Sequence, residues 1–237
     1  MSNLVDINSI FSLGFRCNAD DFLSHILKIR KYSSPFSYMI IDIKTALNFI
    51  DDKFVSYTNK DLILPGKSTL KFNNNGWSCI NIHKYSIIPD DYMDILDLEN
   101  VCIWNHHNLY EENILYAINR RSSHLLKCLN ERPHTTLLLY IEKIQQYEEQ
   151  KDSYFDKSIL DKYNCNFLIL IPLLDFNSDP VLFHDDSKVR IIYFSSNMNG
   201  WTVEIDSHRE EWEKLEKLVR QLYDFNIEAR NDDTTVS

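Results

Sequence analysis

The chain alternates short runs of consecutive apolar residues with longer segments in which apolar residues recur every three or four positions. A continuous apolar run predicts a strand that is buried on both faces, as in a parallel sheet. We therefore expect the runs to form adjacent strands of one mainly parallel sheet. They occupy residues 10–13, 101–104, 135–141, 166–173 and 189–195.

Helical periodicity fills much of the sequence between these runs. The predicted helices cover residues 18–31, 42–50, 111–129, 144–163 and 207–222. Asp42 and Ser207 are residue types that cap helix N-termini, and each precedes a periodic apolar pattern. The alternation of strands and helices predicts an α/β fold with three layers, in which helices cover both faces of a mainly parallel sheet.

A length of 237 residues suits one domain with a substantial core. We expect a single α/β domain over residues 1–230 and a disordered tail over residues 231–237. Residues 53–100 have the weakest periodicity. A turn at residues 73–76, between β-prone stretches at 69–72 and 77–82, predicts a hairpin or flap there.

Charge and composition exclude some classes of function. The formal net charge of -10 argues against nonspecific nucleic-acid binding, which needs a basic face. No run of 18 apolar residues is present, and residues 1–8 lack the features of a signal peptide. The five cysteines are odd in number and widely spaced, without a Cys-x-x-Cys motif. That pattern predicts reduced thiols in the cytoplasm, and neither a disulfide framework nor a metal site.

Cys17 is the candidate nucleophile. It lies between the apolar run 10–13 and the predicted helix beginning at Asn18, and Gly14 permits a sharp turn there. The positive end of a helix dipole and the neighbouring Arg16 both favour the thiolate, lowering a thiol pKa from about 8.5. The alternative is that Cys17 is a small buried hydrophobic residue, as most cytosolic cysteines are.

Two short motifs resemble a bacterial family of papain-like cysteine peptidases. They are Ser-Leu-Gly-Phe-Arg-Cys at residues 12–17 and Tyr-Ser-Ser-Pro-Phe-Ser-Tyr at residues 32–38. Three later elements follow in the family's order, over residues 10–141: Trp-Asn-His-His at 104–107, Asn-Arg-Arg at 119–121, and an aliphatic strand at 136–140. Ser37-Tyr38 stands where the family has Asp-Trp, and His107 where the family has Asp.

The resemblance implies a Cys nucleophile and a His base. His106 matches the family's histidine and is the first candidate for the base, and His107 is the second. His208, which follows Asp206 with one residue between them, is the third. An orienting third member stays open between Asp20, Asp42 and Asn105. The adjacent pair 106–107 does not predict a metal site, because neighbouring side chains of an extended segment point in opposite directions.

Arginines supply the predicted substrate contacts. Arg120 and Arg121 interrupt the apolar face of the helix 111–129, and Arg16 adjoins Cys17. The alternative for the pair is surface ion pairs, which contribute little. The resemblance favours a role in binding a carboxylate or phosphate, for which the guanidinium fork is suited.

Three functions remain open at this stage. The first is a thiol-dependent hydrolase or acyl transferase that uses Cys17 and His106 and needs no cofactor. The second is a glycan-related transferase, or a nucleotide- or phosphate-binding protein, on a Rossmann-like sheet in which Cys17 is structural. The third is a non-catalytic interaction protein. The expected substrate is a small molecule, a glycan or a peptide, and the sequence does not indicate an oligomeric state.

Overall fold

A computed structural model of the chain describes residues 3–14, 18–37, 39–59, 63–65, 79–82, 101–104, 111–142, 145–146, 157–174, 176, 178–186, 188–195 and 209–226. In chain order the strands are β1 (Asn3–Asp6), β2 (Ile10–Ser12), β3 (Met39–Ile41), β4 (Ile63–Pro65), β5 (Cys79–Ile82), β6 (Val101–Trp104), β7 (Leu137–Ile141), β8 (Gln145–Gln146), β9 (Asn166–Leu174), β10 (Val181–Asp185), β11 (Val189–Ser195) and β12 (Tyr223–Asn226). The α-helices are α1 (Asn18–Asp21), α2 (Ile43–Asp51), α3 (Glu112–Glu131) and α4 (Arg209–Leu222). A π-helical segment, Phe22–Ile26, continues α1, and 3-10 turns occur at Ile7–Ser9, Pro133–Thr135 and Lys157–Leu160.

The main sheet confirms the predicted α/β class and its mainly parallel character. Its strands lie in the order β10-β11-β9-β7-β2, and β8 pairs with the end of β9. The pairs β11–β9, β9–β7 and β7–β2 are parallel, whereas β10 is antiparallel to β11. Four of the five predicted apolar runs therefore supply strands of this sheet, and β2 is the last strand in its order.

Both faces of β7, β9 and β11 are buried, which explains why these strands are almost continuously apolar. In β7, Leu138 and Tyr140 join a core with α2 and α3, whereas Leu137 and Leu139 join a second core with the helix 18–26 and α4. β9 divides in the same way, with Phe167 in the first core. Successive side chains of a strand point to opposite faces, so each run fills two cores.

The helices α2 and α4 follow their predicted apolar faces, whereas the helix predicted over residues 18–31 ends at Ile26. Asp42 caps α2, and its Oδ1 accepts a hydrogen bond from the Thr45 N–H at 2.8 Å. α4 buries Trp212, Leu215 and Val219, which recur at helical spacing. The predicted cap of α4, Ser207, lies outside the described residues.

The placement of run 101–104 in the main sheet is wrong. These residues form β6 of a separate antiparallel sheet with the order β3-β6-β5-β4. Trp104 is opposite Met39 of β3 on one side and Cys79 of β5 on the other. A four-residue apolar run fits the middle strand of either kind of sheet, so its composition did not reveal its partners.

The helix predicted over residues 144–163 is also corrected. Residues 145–146 form β8, and residues 157–160 form a 3-10 turn. Residues 147–156 lie outside the described part of the chain, as do hairpin residues 69–72 and the tail 231–237. The structure adds strand β10 and the parallel pair β1–β12, which the apolar pattern did not predict.

The helices in the described ranges are too short or too polar to cross a membrane. This agrees with the sequence, in which no apolar run reaches the required length.

Candidate functional site

The connection that contains Cys17 runs from β2 to α1, as the sequence predicts. Gly14 follows β2 with a φ of +95°. A Cβ at this position would lie 2.5 Å from Ile41 Cγ2 of β3. Glycine is therefore required, because a side chain would both strain the backbone and collide with β3. α1 begins at Asn18, the residue directly after Cys17, while residues 15–17 lie outside the described residues.

A buried carboxylate lies three residues after Cys17. Asp20 is 1% exposed. Its Oδ2 accepts a hydrogen bond from Ser12 Oγ at 3.0 Å, and its Oδ1 accepts one from Ser37 Oγ at 2.8 Å. The Nη2 of Arg30 lies 3.1 Å from the same Oδ1. A buried carboxylate is tolerated when it is paired and hydrogen-bonded, and these three groups meet that requirement.

Arg30 connects this carboxylate to the loop that carries the Pro-Phe motif. Its Nη2 donates to Ser33 Oγ at 3.0 Å and to Ser37 Oγ at 3.2 Å. Its Nη1 donates to Ser24 Oγ at 3.3 Å, and its side chain is only 14% exposed. We refer to this group of residues as the Asp20 cluster: Ser12, Asp20, Arg30, Ser33 and Ser37.

Further hydrogen bonds hold the loop 33–37 against β2. Ser34 Oγ donates to the backbone carbonyl of Ser12 at 2.6 Å. The Tyr57 hydroxyl donates to the carbonyl of Pro35 at 2.7 Å, which fixes the loop from its other side. The two motifs on which the family resemblance depends therefore contact each other directly, at the end of β2 where the connection containing Cys17 begins.

The structure distinguishes the two adjacent arginines of α3. Arg120 is exposed, whereas Arg121 is half-buried. Burial lowers the pKa of Arg121, and the positive charge of Arg30 lowers it further, whereas the negative charge of Asp20 acts in the opposite direction. Arg121 is therefore close enough to Asp20 and Arg30 to interact with their charges, whereas Arg120 faces solvent.

Three buried polar atoms have no hydrogen-bond partner among the described residues, and two of them adjoin predicted site residues in the sequence. These two are Oδ1 of Asn18, which follows Cys17, and Oγ of Ser122, which follows Arg121. The two residues are 6% and 4% exposed. Buried polar groups are nearly always satisfied, so unsatisfied ones point to positions where a ligand or another group is expected.

Several predicted site residues lie outside the described ranges: Arg16, Cys17, Asn105, His106, His107 and His208. Their roles stay predictions. Of the candidates for an orienting third member, Asp42 serves as the cap of α2, and Thr45 Oγ1 also donates to its Oδ2 at 2.5 Å. Within the described ranges no group of three or more His, Cys, Asp or Glu residues is arranged to hold a metal ion.

Sequence reasoning named Asp20 only as an open third member and did not identify Arg30 or the serines of the cluster. One signal was available. Asp20, Leu23 and Leu27 follow each other at helical spacing, so a charged residue lies on an apolar face. A carboxylate on such a face predicts a buried cationic or hydroxyl partner.

No family model matches the sequence, and neither curated proteins nor solved structures show a significant match to it. The interpretation of the site therefore depends on the residues themselves.

Proposed function

We propose that the protein is a thiol-dependent hydrolase or acyl transferase in which Cys17 is the nucleophile and His106 is the general base. The observation that supports this best is the convergence of the two motifs on Asp20. The hydrogen bond from Ser12 to Asp20 joins the residues on either side of the connection that contains Cys17. A nucleophile needs a fixed position, and buried hydrogen bonds at both ends of its connection supply one.

Two other thiols, those of Cys128 and Cys165, are poor nucleophiles. Burial raises the pKa of Cys128 to about 11 and the pKa of Cys165 to about 12. Both are therefore protonated near neutral pH, and the thiolate is the reactive form. Neither of these two thiols is therefore a strong alternative to Cys17 as the nucleophile, and a reduced thiol fits the cytoplasm that the cysteine pattern predicts.

The proposed reaction has two steps. His106 accepts the Cys17 proton, and the sulfur attacks an acyl carbonyl to form a thioester while the carbonyl–leaving group bond breaks. The imidazolium returns the proton to the leaving group. Water then cleaves the thioester in a hydrolase, and another acceptor does so in a transferase. The backbone N–H of Cys17 and those of the next helical residues are the proposed oxyanion donors.

We also propose that the domain has three layers. Alternate side chains of β7 and β9 pack with α2 and α3 in one core, and with the helix 18–26 and α4 in the other. That division supports helices on both faces of the sheet, because a strand presents successive side chains to opposite faces.

Selective alkylation tests the catalytic proposal. Brief treatment with iodoacetamide near pH 7, followed by peptide mass spectrometry, should label Cys17 well before Cys128 and Cys165. His106→Ala should raise the apparent pKa of Cys17 alkylation towards about 8.5, and the matched variant His107→Ala should change it little. If Cys17 is labelled last, the proposal is wrong. That result would favour the transferase or phosphate-binding alternative, in which Cys17 is structural.

A further inference from the structure

We propose that the substrate carries an oxyanion group, a carboxylate or a phosphate, which binds to the guanidinium of Arg121 near Asp20 and Arg30. The link to a substrate rests on the proposed function, whereas anion binding by Arg121 does not require the thiol.

The balance of charge around Arg121 is the first argument. Two guanidinium groups, those of Arg30 and Arg121, interact with the single carboxylate of Asp20. The carboxylate is already bound by Arg30 and by the hydroxyls of Ser12 and Ser37. Among the described residues, Arg121 has neither a hydrogen-bond nor an ion-pair partner. An anion at Arg121 would therefore balance a positive charge that the described side chains leave uncompensated.

The partial burial of Arg121 is the second argument. A guanidinium that is half removed from water loses part of its hydration, and a partner of opposite charge compensates this loss best. The like charge of Arg30 adds repulsion, which a bound anion would relieve. The planar fork of N–H donors matches the paired oxygens of a carboxylate or a phosphate. Arg120 has the same fork, but it is exposed and keeps its hydration.

The location connects this anion site to the proposed nucleophile. Arg121 interacts electrostatically with Asp20. Asp20 lies in the helix that begins directly after Cys17. A substrate anion bound to Arg121 would therefore be held near the helix that follows the connection containing Cys17.

Isothermal titration of the full chain with inorganic phosphate, and separately with acetate, tests this inference. We expect phosphate to bind the wild type and Arg120→Gln with affinities within about twofold of each other. Arg121→Gln should weaken phosphate binding by about tenfold or more, because the variant loses a charge-assisted hydrogen bond to the anion. The acetate arm distinguishes the two sources of an oxyanion, since a phosphate-specific site should bind acetate more weakly. The absence of binding by either anion, or equal binding by the wild type and Arg121→Gln, would overturn the inference.

Two further variants keep the test decisive. Arg121→Lys retains the charge and loses the fork, so its affinity should fall between those of the wild type and Arg121→Gln. If Arg121→Gln does not fold, Arg121→Lys carries the test, and wild-type affinity in that variant would count against the inference. Cys17→Ser should bind phosphate as the wild type does. If Cys17 is unreactive but phosphate binding depends on Arg121, only the catalytic proposal is wrong. If Cys17 is reactive but phosphate binding does not depend on Arg121, only the anion site is wrong.

Discussion

Replacing Asp20 with alanine removes the carboxylate at the centre of the Asp20 cluster. The hydroxyls of Ser12 and Ser37 each lose an acceptor, and the largely buried guanidinium of Arg30 loses the carboxylate that lies 3.1 Å away. Deleting one partner of a buried ion pair costs about 3–5 kcal/mol, because the remaining charge stays desolvated. Arg30 keeps its hydrogen bonds to the hydroxyls of neighbouring serines. We therefore expect a cost near the lower end, about 3 kcal/mol.

Urea denaturation followed by circular dichroism measures this loss as a change in the free energy of unfolding. Asp21→Ala is the matched control, because Asp21 is the next carboxylate in the sequence and its described ion pair with His25 spans 3.9 Å. We expect the free energy of unfolding of Asp21→Ala to be lower than that of the wild type by less than about 1 kcal/mol. Asp20→Asn keeps one side-chain oxygen as an acceptor, so its free energy of unfolding should lie between those of the wild type and Asp20→Ala.

The reasoning fails if Asp20→Ala is destabilised no more than Asp21→Ala. That result would mean that the carboxylate contributes no net stabilisation to the cluster, because the free-energy cost of burying it equals the stabilisation from its hydrogen bonds and its ion pair. The slope of unfolding free energy against urea concentration is a second readout. A smaller slope for Asp20→Ala than for the wild type would indicate that its unfolded or native state has changed, and thermal unfolding would then be used in place of urea.

Three further predictions concern residues around the same core. Gly14→Ala should lower the free energy of unfolding by about 2 kcal/mol or more, because its φ is positive and the new Cβ would meet Ile41; urea denaturation measures this. Tyr163→Phe should cost about 1–2 kcal/mol in the same assay through loss of the 2.7 Å hydrogen bond to Asp51 Oδ1. Burial lowers the pKa of His124, so the unfolded chain binds a proton below about pH 6.5 that the folded chain does not. Stability from this source is present above that pH and lost on acidification, and His124→Asn should reduce the fall in unfolding free energy between about pH 7.5 and about pH 5.5.

The parallel strands were predictable because burial on both faces leaves a strong mark on sequence. β7 and β9 are apolar at consecutive positions, and the structure divides each between two cores. β10 was not predicted, because it lies at the end of the sheet order with exposed and half-buried residues alternating, so only part of its surface is apolar. The run 101–104 was recognised as a strand but assigned to the wrong sheet, since strand composition does not specify which strand is its neighbour.

The position of Cys17 between a strand and a helix was also predictable, because turn and cap residues act over a few positions. The Asp20 cluster was not predictable in detail. Its hydrogen bonds from Ser12 and Ser37 to Asp20 join residues 8 and 17 positions apart, and the chain contains many other serines. The local sequence pattern shows that a serine hydroxyl is available, but it does not show which carboxylate that hydroxyl contacts. The distinction between Arg120 and Arg121 likewise required the rotation of α3 against the core.

The place of β2 in the sheet explains why a polar cluster forms beside the proposed nucleophile. β2 pairs with β7 on one side and is the last strand in the sheet order, so its outer side has backbone groups that no described strand pairs. Buried backbone carbonyls need donors, and the hydroxyl of Ser34 supplies one to the carbonyl of Ser12. The loop that covers this side also delivers Ser37 to Asp20, whose helix begins directly after Cys17. The contacts that protect the outer side of β2 are therefore those that fix the ends of the connection containing Cys17, so stability and the geometry of the site depend on the same few hydrogen bonds.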